Sequence, residues 1–225
     1  MDSISLLCIV LLLVACTCIK LSLADSDNVQ DACPTAPLGK QTIFINGFPC
    51  KNPANISASD FKTTKLSNAG DIDNILGSSV NIVTAADFPG LNTLGLSVGR
   101  IDLEVDGVVS THSHPRASEL FFVNKGIVLA GFLDSQNQLF QKVLKEGDVF
   151  VFPRGLLHFC LNGGFEVATA FSVFSSQNPG QVAIFSTFFD LTVEASEKQK
   201  RRLISLSASE VYQITNATLT GFESF

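Results

Sequence analysis

All three histidines of this 225-residue chain fall in two short stretches whose residue types and spacing suit a metal ion. The first runs from Gly107 through His112, His114 and Glu119 to Gly126. The second runs from Gly147 through Pro153, Gly155 and His158 to Asn162. On an extended segment residues two apart share a face, so His112 and His114 can aim two imidazoles at one point. Glu119 follows a bend at Pro115 and can return a carboxylate to that point, while His158 reaches it only if a barrel closes over the first stretch. Three imidazoles and one carboxylate make a nitrogen and oxygen set that a divalent transition metal accepts. The lack of thiolate argues against a structural zinc finger or an iron–sulfur cluster. Chance placement of three histidines is the competing account, and it leaves the agreement of spacing and flanking glycines unexplained.

The elements that must position these residues are strands. From Leu91 to Phe188 short runs rich in Val, Ile and Phe alternate with turn signals such as Asp106-Gly107, Glu146-Gly147-Asp148 and Asn162-Gly163-Gly164. That rhythm predicts an antiparallel barrel or sandwich. Nineteen phenylalanines and no tryptophan suit a thick aromatic interior, so the Phe residues are read as core rather than as a stacking platform. Ahead of the barrel, 25–65 reads as an extended arm with one helical turn near Ser57 to Phe61, capped from Ser57-Ala-Ser-Asp60. Behind it, 193–206 and 208–214 have helical spacing. Their apolar positions, Leu203, Ile204, Leu206, Val211 and Ile214, lack a home on a closed barrel.

Both stretches resemble those of the germins and germin-like proteins, plant members of the cupin superfamily. The second matches that family's pattern at every fixed position from Gly147 to Asn162; the first matches from His112 to Gly126, with Asp106 in place of a leading glycine. Further family-like text lies at Asn46-Gly-Phe-Pro-Cys50-Lys51, Leu91-Asn-Thr-Leu-Gly95 and Arg100-Ile-Asp102. The resemblance implies an all-β jelly-roll barrel with an N-terminal arm and C-terminal α-helices that clasp a neighbouring subunit, giving a homo-oligomer, a hexamer in the family. It implies manganese held by His112, His114, Glu119 and His158. Asn162, on the second stretch, is read either as a group behind the ligands or simply as the end of a strand before Gly163-Gly164. It also implies a disulfide between Cys33 and Cys50, which leaves Cys160 unpaired. Two residues after His158, Cys160 would face the barrel interior and is read as a buried small hydrophobe, with tuning or oxidation beside the metal as the alternative.

Composition bounds the rest. The apolar run from Ile4 to Ile19, ending at Ser22-Leu23-Ala24, reads as a secretory leader, although no Lys or Arg precedes it. An uncleaved anchor is the alternative, for which the run is short. The expected organisation is a signal peptide over 1–24, an arm with its disulfide over 25–62, a cupin barrel over 63–188 and a helical extension over 189–225. The net charge of −6 is unchanged by loss of the leader, which removes Asp2 and Lys20 together. The one basic run, Lys198-Gln-Lys200-Arg201-Arg202, reads as a solvated helix face, so nucleic acid is not an expected partner, nor is a membrane after cleavage. Acceptor sequons at Asn55 and Asn216 fit an extracellular glycoprotein of the apoplast or cell wall.

Within the resembled family some members oxidise oxalate and others dismutate superoxide. The oxalate-oxidising members hold their substrate with two asparagines, whose positions in this chain are Gly99 and Val109. The resemblance therefore implies a retained metal, little oxalate oxidation and superoxide dismutase chemistry in plant defence or wall metabolism, with a small anionic substrate. The alternatives are a metal-dependent binding protein for a small organic acid, auxin-like in character, and a wall glycoprotein whose metal is structural.

Overall fold

The computed structural model describes residues 31–36, 44–45 and 48–184. The expected leader, both C-terminal helices and Asn216 lie outside the described residues. Among the described residues twelve strands follow in order: β1 (Phe44–Ile45), β2 (Phe48–Pro49), β3 (Ser78–Val83), β4 (Ser97–Leu103), β5 (Val108–Ser113), β6 (Glu119–Lys125), β7 (Ile127–Leu133), β8 (Leu139–Lys145), β9 (Val149–Phe152), β10 (Leu157–Asn162), β11 (Ala168–Phe174) and β12 (Val182–Ala183). Apart from the small β1–β2 pair they form two five-stranded antiparallel sheets, ordered β12-β5-β10-β7-β8 and β3-β4-β11-β6-β9. From β4 to β7 and again from β8 to β12 consecutive strands alternate between the sheets, while β3–β4 and β7–β8 pair within one sheet, as in the expected jelly roll.

Period-two alternation explains why these segments pair as they do. On β11, Ala168, Ala170, Ser172 and Phe174 are buried while the residues between them are less so. The same phase puts Phe121 and Val123 of β6, Val128 and Ala130 of β7, and Cys160 of β10 into one core between the sheets. Small residues on β11 and β7 leave room for the rings of Phe121 and Phe152, which meet edge-on at 5.8 Å.

Turn chemistry closes the sheets at the end away from the histidines. Asp106, standing where the family pattern has glycine, adopts φ 60°, a left-handed conformation that Asp tolerates better than most residues. The steric demand falls on the next residue: a Cβ on Gly107 would collide with the carbonyl oxygen of Gly77. The loop over 66–70 is held by a buried pair. Asp102, 2% exposed, meets Arg100 at 2.8 Å and accepts from the Gly70 amide at 2.9 Å, while Arg100 donates to the carbonyls of Leu66 and Ser67. Every polar group in that cluster has a partner, which is what offsets the cost of burying its charges.

The N-terminal arm is anchored as its cysteines require. Cys33 and Cys50 are joined, Thr35 pairs with Cys50 in a β-bridge, and Asn92 donates to the Cys33 carbonyl at 3.0 Å. The expected helical turn is a 3-10 turn over Ala58–Phe61, with the Ser57 amide donating to Asp60 at 2.7 Å. Among the described residues no helix is long and apolar enough to cross a membrane.

Candidate metal centre

His112 lies near the end of β5 and His158 near the start of β10, directly across the ladder from each other. His114 follows one residue after β5, and the bend over Pro115 and Arg116 carries the chain across to Glu119, the first residue of β6 in the opposite sheet. Two ligand candidates therefore come from one sheet, one from the other, and one from the turn between them. All four are at most 6% exposed, and one donor atom from each lies within 4.8 Å of the others.

Hydrogen bonding fixes which atoms face inward. The Nδ1 atoms of His112, His114 and His158 sit 2.9, 2.5 and 2.9 Å from the carbonyl oxygens of Ser110, Gly180 and Leu156. A carbonyl only accepts, so each Nδ1 carries the proton and each neutral ring turns a bare Nε2 lone pair towards the cluster. Glu119 completes it, with Oε2 3.4 Å from His114 Nε2 and 3.2 Å from His158 Nε2. The latter approach lacks hydrogen-bond geometry: Glu119 Oε2 and His158 Nε2 are buried without a partner. Buried acceptors facing acceptors is an unfavourable arrangement that one cation would relieve. The residues therefore fit a metal ion, and their nitrogen and oxygen character fits a divalent transition metal.

The electrostatics agree. Burial, reinforced by the nearby His158, pushes His112 down to about 4, and burial also lowers His114. Both imidazoles thus stay neutral and able to ligate. Burial pushes Glu119 upward, and the Ser172 hydroxyl that donates to its Oε1 is among the groups that outweigh burial and hold the carboxyl below its usual range. Around the donors, Phe152 stacks on the His158 ring at 4.5 Å and Phe174 meets His114 edge-on at 4.8 Å. The remaining cavity is about 20 Å³, room for one or two water-sized species.

Other residues singled out in the sequence take different places. Gly99 and Val109 both line the cavity, beside Val80 and Ile82. Asn162 does not reach the donors. Its amide donates to the carbonyls of Leu103, Glu104 and Glu166 and accepts from the Gly164 amide, so it ties the β10–β11 turn to the end of β4. Four residues along an extended strand separate it from His158, which is why its side chain serves the opposite end of β10. Cys160 is free, buried and on the cavity wall. Sequence reasoning passed over Ser172, whose hydroxyl donates to Glu119 Oε1 at 2.5 Å. Its one available signal was a polar residue in the inward phase of Ala168, Ala170 and Phe174.

A two-sheet barrel with three histidines and one glutamate at its interior defines a cupin, and residues 64–199 match the Cupin family. The chain is 66% identical to germin-like protein subfamily 3 member 4 of Arabidopsis thaliana over 164 residues, 73% of this chain and 78% of the relative. Among solved structures it resembles an oxalate oxidase, at 34% identity and TM-score 0.71, over 88% of this chain and 99% of that one. It also resembles Peruvianin-I, described as a cysteine peptidase of Thevetia peruviana latex, at 40% identity and TM-score 0.66, over 72% and 98%. The chain belongs to the germin-like proteins.

Proposed function

We propose that this chain is a secreted manganese protein that performs superoxide-dismutase-type chemistry in the apoplast or cell wall, in plant defence, and lacks oxalate oxidase activity. The observation that carries this reading is the make-up of the cavity. Apart from the four donor residues its lining side chains are apolar, and its volume is about 20 Å³. A diatomic anion needs only an open position on a metal; an organic acid would need polar groups to hold it, and among the described residues the walls provide none beyond the donors. When bound, a metal with two accessible oxidation states supplies one-electron exchange with superoxide. His112, His114 and His158 would hold it through Nε2 and Glu119 through Oε2. The carbonyls of Ser110, Gly180 and Leu156 keep the rings turned inward, and the apolar walls limit competing water.

The relatives suggest two other activities that this site does not favour. Oxalate would meet Gly99 and Val109 on the wall, neither of which offers a side-chain donor to fix a dianion. Cysteine-peptidase chemistry needs a thiolate, whereas burial and the nearby Glu119 push the Cys160 thiol well above its ordinary range. The auxin-like reading gains nothing from a cavity of this size, and a purely structural metal would not require room beside it.

Secretion rests on the leader over 1–24, on the Cys33–Cys50 bridge and on the exposed sequon at Asn55. Residues 25–62, 63–188 and 189–225 are assigned as arm, barrel and helical extension. Self-association into a homo-oligomer is supported by Leu120, Phe122, Val149 and Val151, which pair across β6 and β9 with their side chains exposed. The test is metal analysis of protein recovered from a secreting host, followed by a superoxide assay. Stoichiometric manganese with chelator-sensitive superoxide removal is expected; a manganese-loaded protein inert towards superoxide would overturn the reading.

A further inference from the structure

Ser172 is the one hydroxyl in the inward phase of β11, between Ala170 and Phe174, and it is 1% exposed. A serine there costs desolvation that an alanine would avoid, unless the hydroxyl has a task. Its partner is the buried carboxylate of Glu119, with Ser172 Oγ to Glu119 Oε1 at 2.5 Å. The two carboxylate oxygens are thereby made unequal. Oε1 is committed to the opposite strand, while Oε2 is turned to His114 and His158 with no hydrogen bond of its own.

We propose that Ser172 is a positioning residue that makes Glu119 a one-oxygen ligand and so keeps a coordination position free for a small anion. The proposal rests on the metal-site reading above. An unrestrained carboxylate can bind a divalent ion through both oxygens, and the second would compete for the position a substrate must occupy. A donated hydrogen bond of this kind, from a neutral hydroxyl to a carboxylate, is strong enough to hold Oε1 back. The strand geometry reinforces it: Ser172 pairs with Gly99 on one side and with Phe121 on the other, so its Cα is fixed in the middle of the sheet. Ser172 touches neither metal nor substrate, and its effect passes entirely through Glu119.

The test uses the full chain from a secreting host, its Ser172→Ala, Ser172→Thr and Ser172→Val variants, and cobalt(II) as the probe metal. Thr and Val have nearly the same shape and differ in the hydroxyl, so a packing effect moves both and a positioning effect moves Val alone. Two quantities are read: the visible absorption of the cobalt site, which reports coordination number, and the dissociation constant of azide. Wild type and Ser172→Thr should share one spectrum and one azide affinity. Ser172→Ala and Ser172→Val should keep one cobalt per chain, show a changed spectrum and bind azide about tenfold more weakly, the size of effect typical when a ligand's supporting partner is removed. Equal spectra and azide affinities in all four proteins would overturn the role of Ser172 while leaving the metal site standing. Failure of the wild type itself to bind cobalt would overturn both.

Discussion

His112 and His158 face each other across the β5–β10 ladder, with ring centroids 4.2 Å apart. One register therefore delivers two candidate ligands that are distant in sequence. A slip of one residue would turn an imidazole to the outside of the barrel.

Replacing His158 with Ala removes the ligand that the second stretch contributes. Metal affinity should fall by more than about a hundredfold, beyond what losing a ligand's supporting partner produces. Dialysis against defined free metal followed by elemental analysis measures it. Full stoichiometric metal in the variant would show that the site is elsewhere.

The pH dependence has a definite sign. His112 lies at about 4 in the folded chain against 6.5 when free, and His114 is lowered as well, both chiefly by burial. The unfolded chain therefore takes up protons first as the medium is acidified. The stability this represents is complete above pH 6.5 and is lost as pH falls through 6.5 towards 4. Urea denaturation of the metal-free protein should give a lower midpoint at pH 5 than at pH 7. A midpoint that rises on acidification contradicts the assignment of both rings as buried and neutral.

Much of the site was legible because metal chemistry imposes local spacing: His112, His114 and Glu119 are neighbours in sequence, and His158 sits in its own glycine-marked turn. The turn at Ser57 and the Cys33–Cys50 bridge were legible for the same local reason or through the family resemblance. Of the two readings of Asn162 the strand end holds and the place behind the ligands does not, because a strand carries its residues about 3.3 Å apart and nothing local says which end of β10 the metal occupies. Ser172 escaped because its meaning depends on β11 lying beside β6, a pairing between segments some fifty residues apart that no period reveals.

Oxalate oxidation should be low in the manganese-loaded protein. Installing Gly99→Asn and Val109→Asn together should raise peroxide release from oxalate more than either alone, because two donors are needed to fix one dianion. The gain at position 99 is limited by Phe174, whose ring lies 3.2 Å from where a Cβ would stand and must give way slightly. Vigorous oxalate oxidation by the unmodified protein would return that activity to first place.

Reducing the Cys33–Cys50 bridge, or replacing both residues with Ala, should destabilise the chain by about 3 kcal/mol, the value for a loop of this size in the chain-entropy model. Denaturation midpoints with and without reductant test this. The metal content should not change, since Cys33 is held by Asn92, and Thr35 beside it donates to the Pro89 carbonyl, with none of the donors involved.

Cys160 should be silent to thiol reagents in the native protein and reactive once unfolded, given its burial and raised thiol. Titration with a chromogenic disulfide before and after denaturant distinguishes the two states. Rapid labelling of the native protein, or peptide hydrolysis blocked by a thiol alkylator, would reopen the peptidase reading.

The carbonyl that holds His114 belongs to Gly180, and the strand just beyond it, β12, pairs with Ser113 and His112. The last described strand is therefore a retaining wall for the strand that carries His112. Because Gly180 lies later in the chain than all four donor residues, the contact that seats His114 is available only once the chain extends past them. A cleavage between Phe174 and Gly180 would leave all four donor residues in place and still unseat one of them.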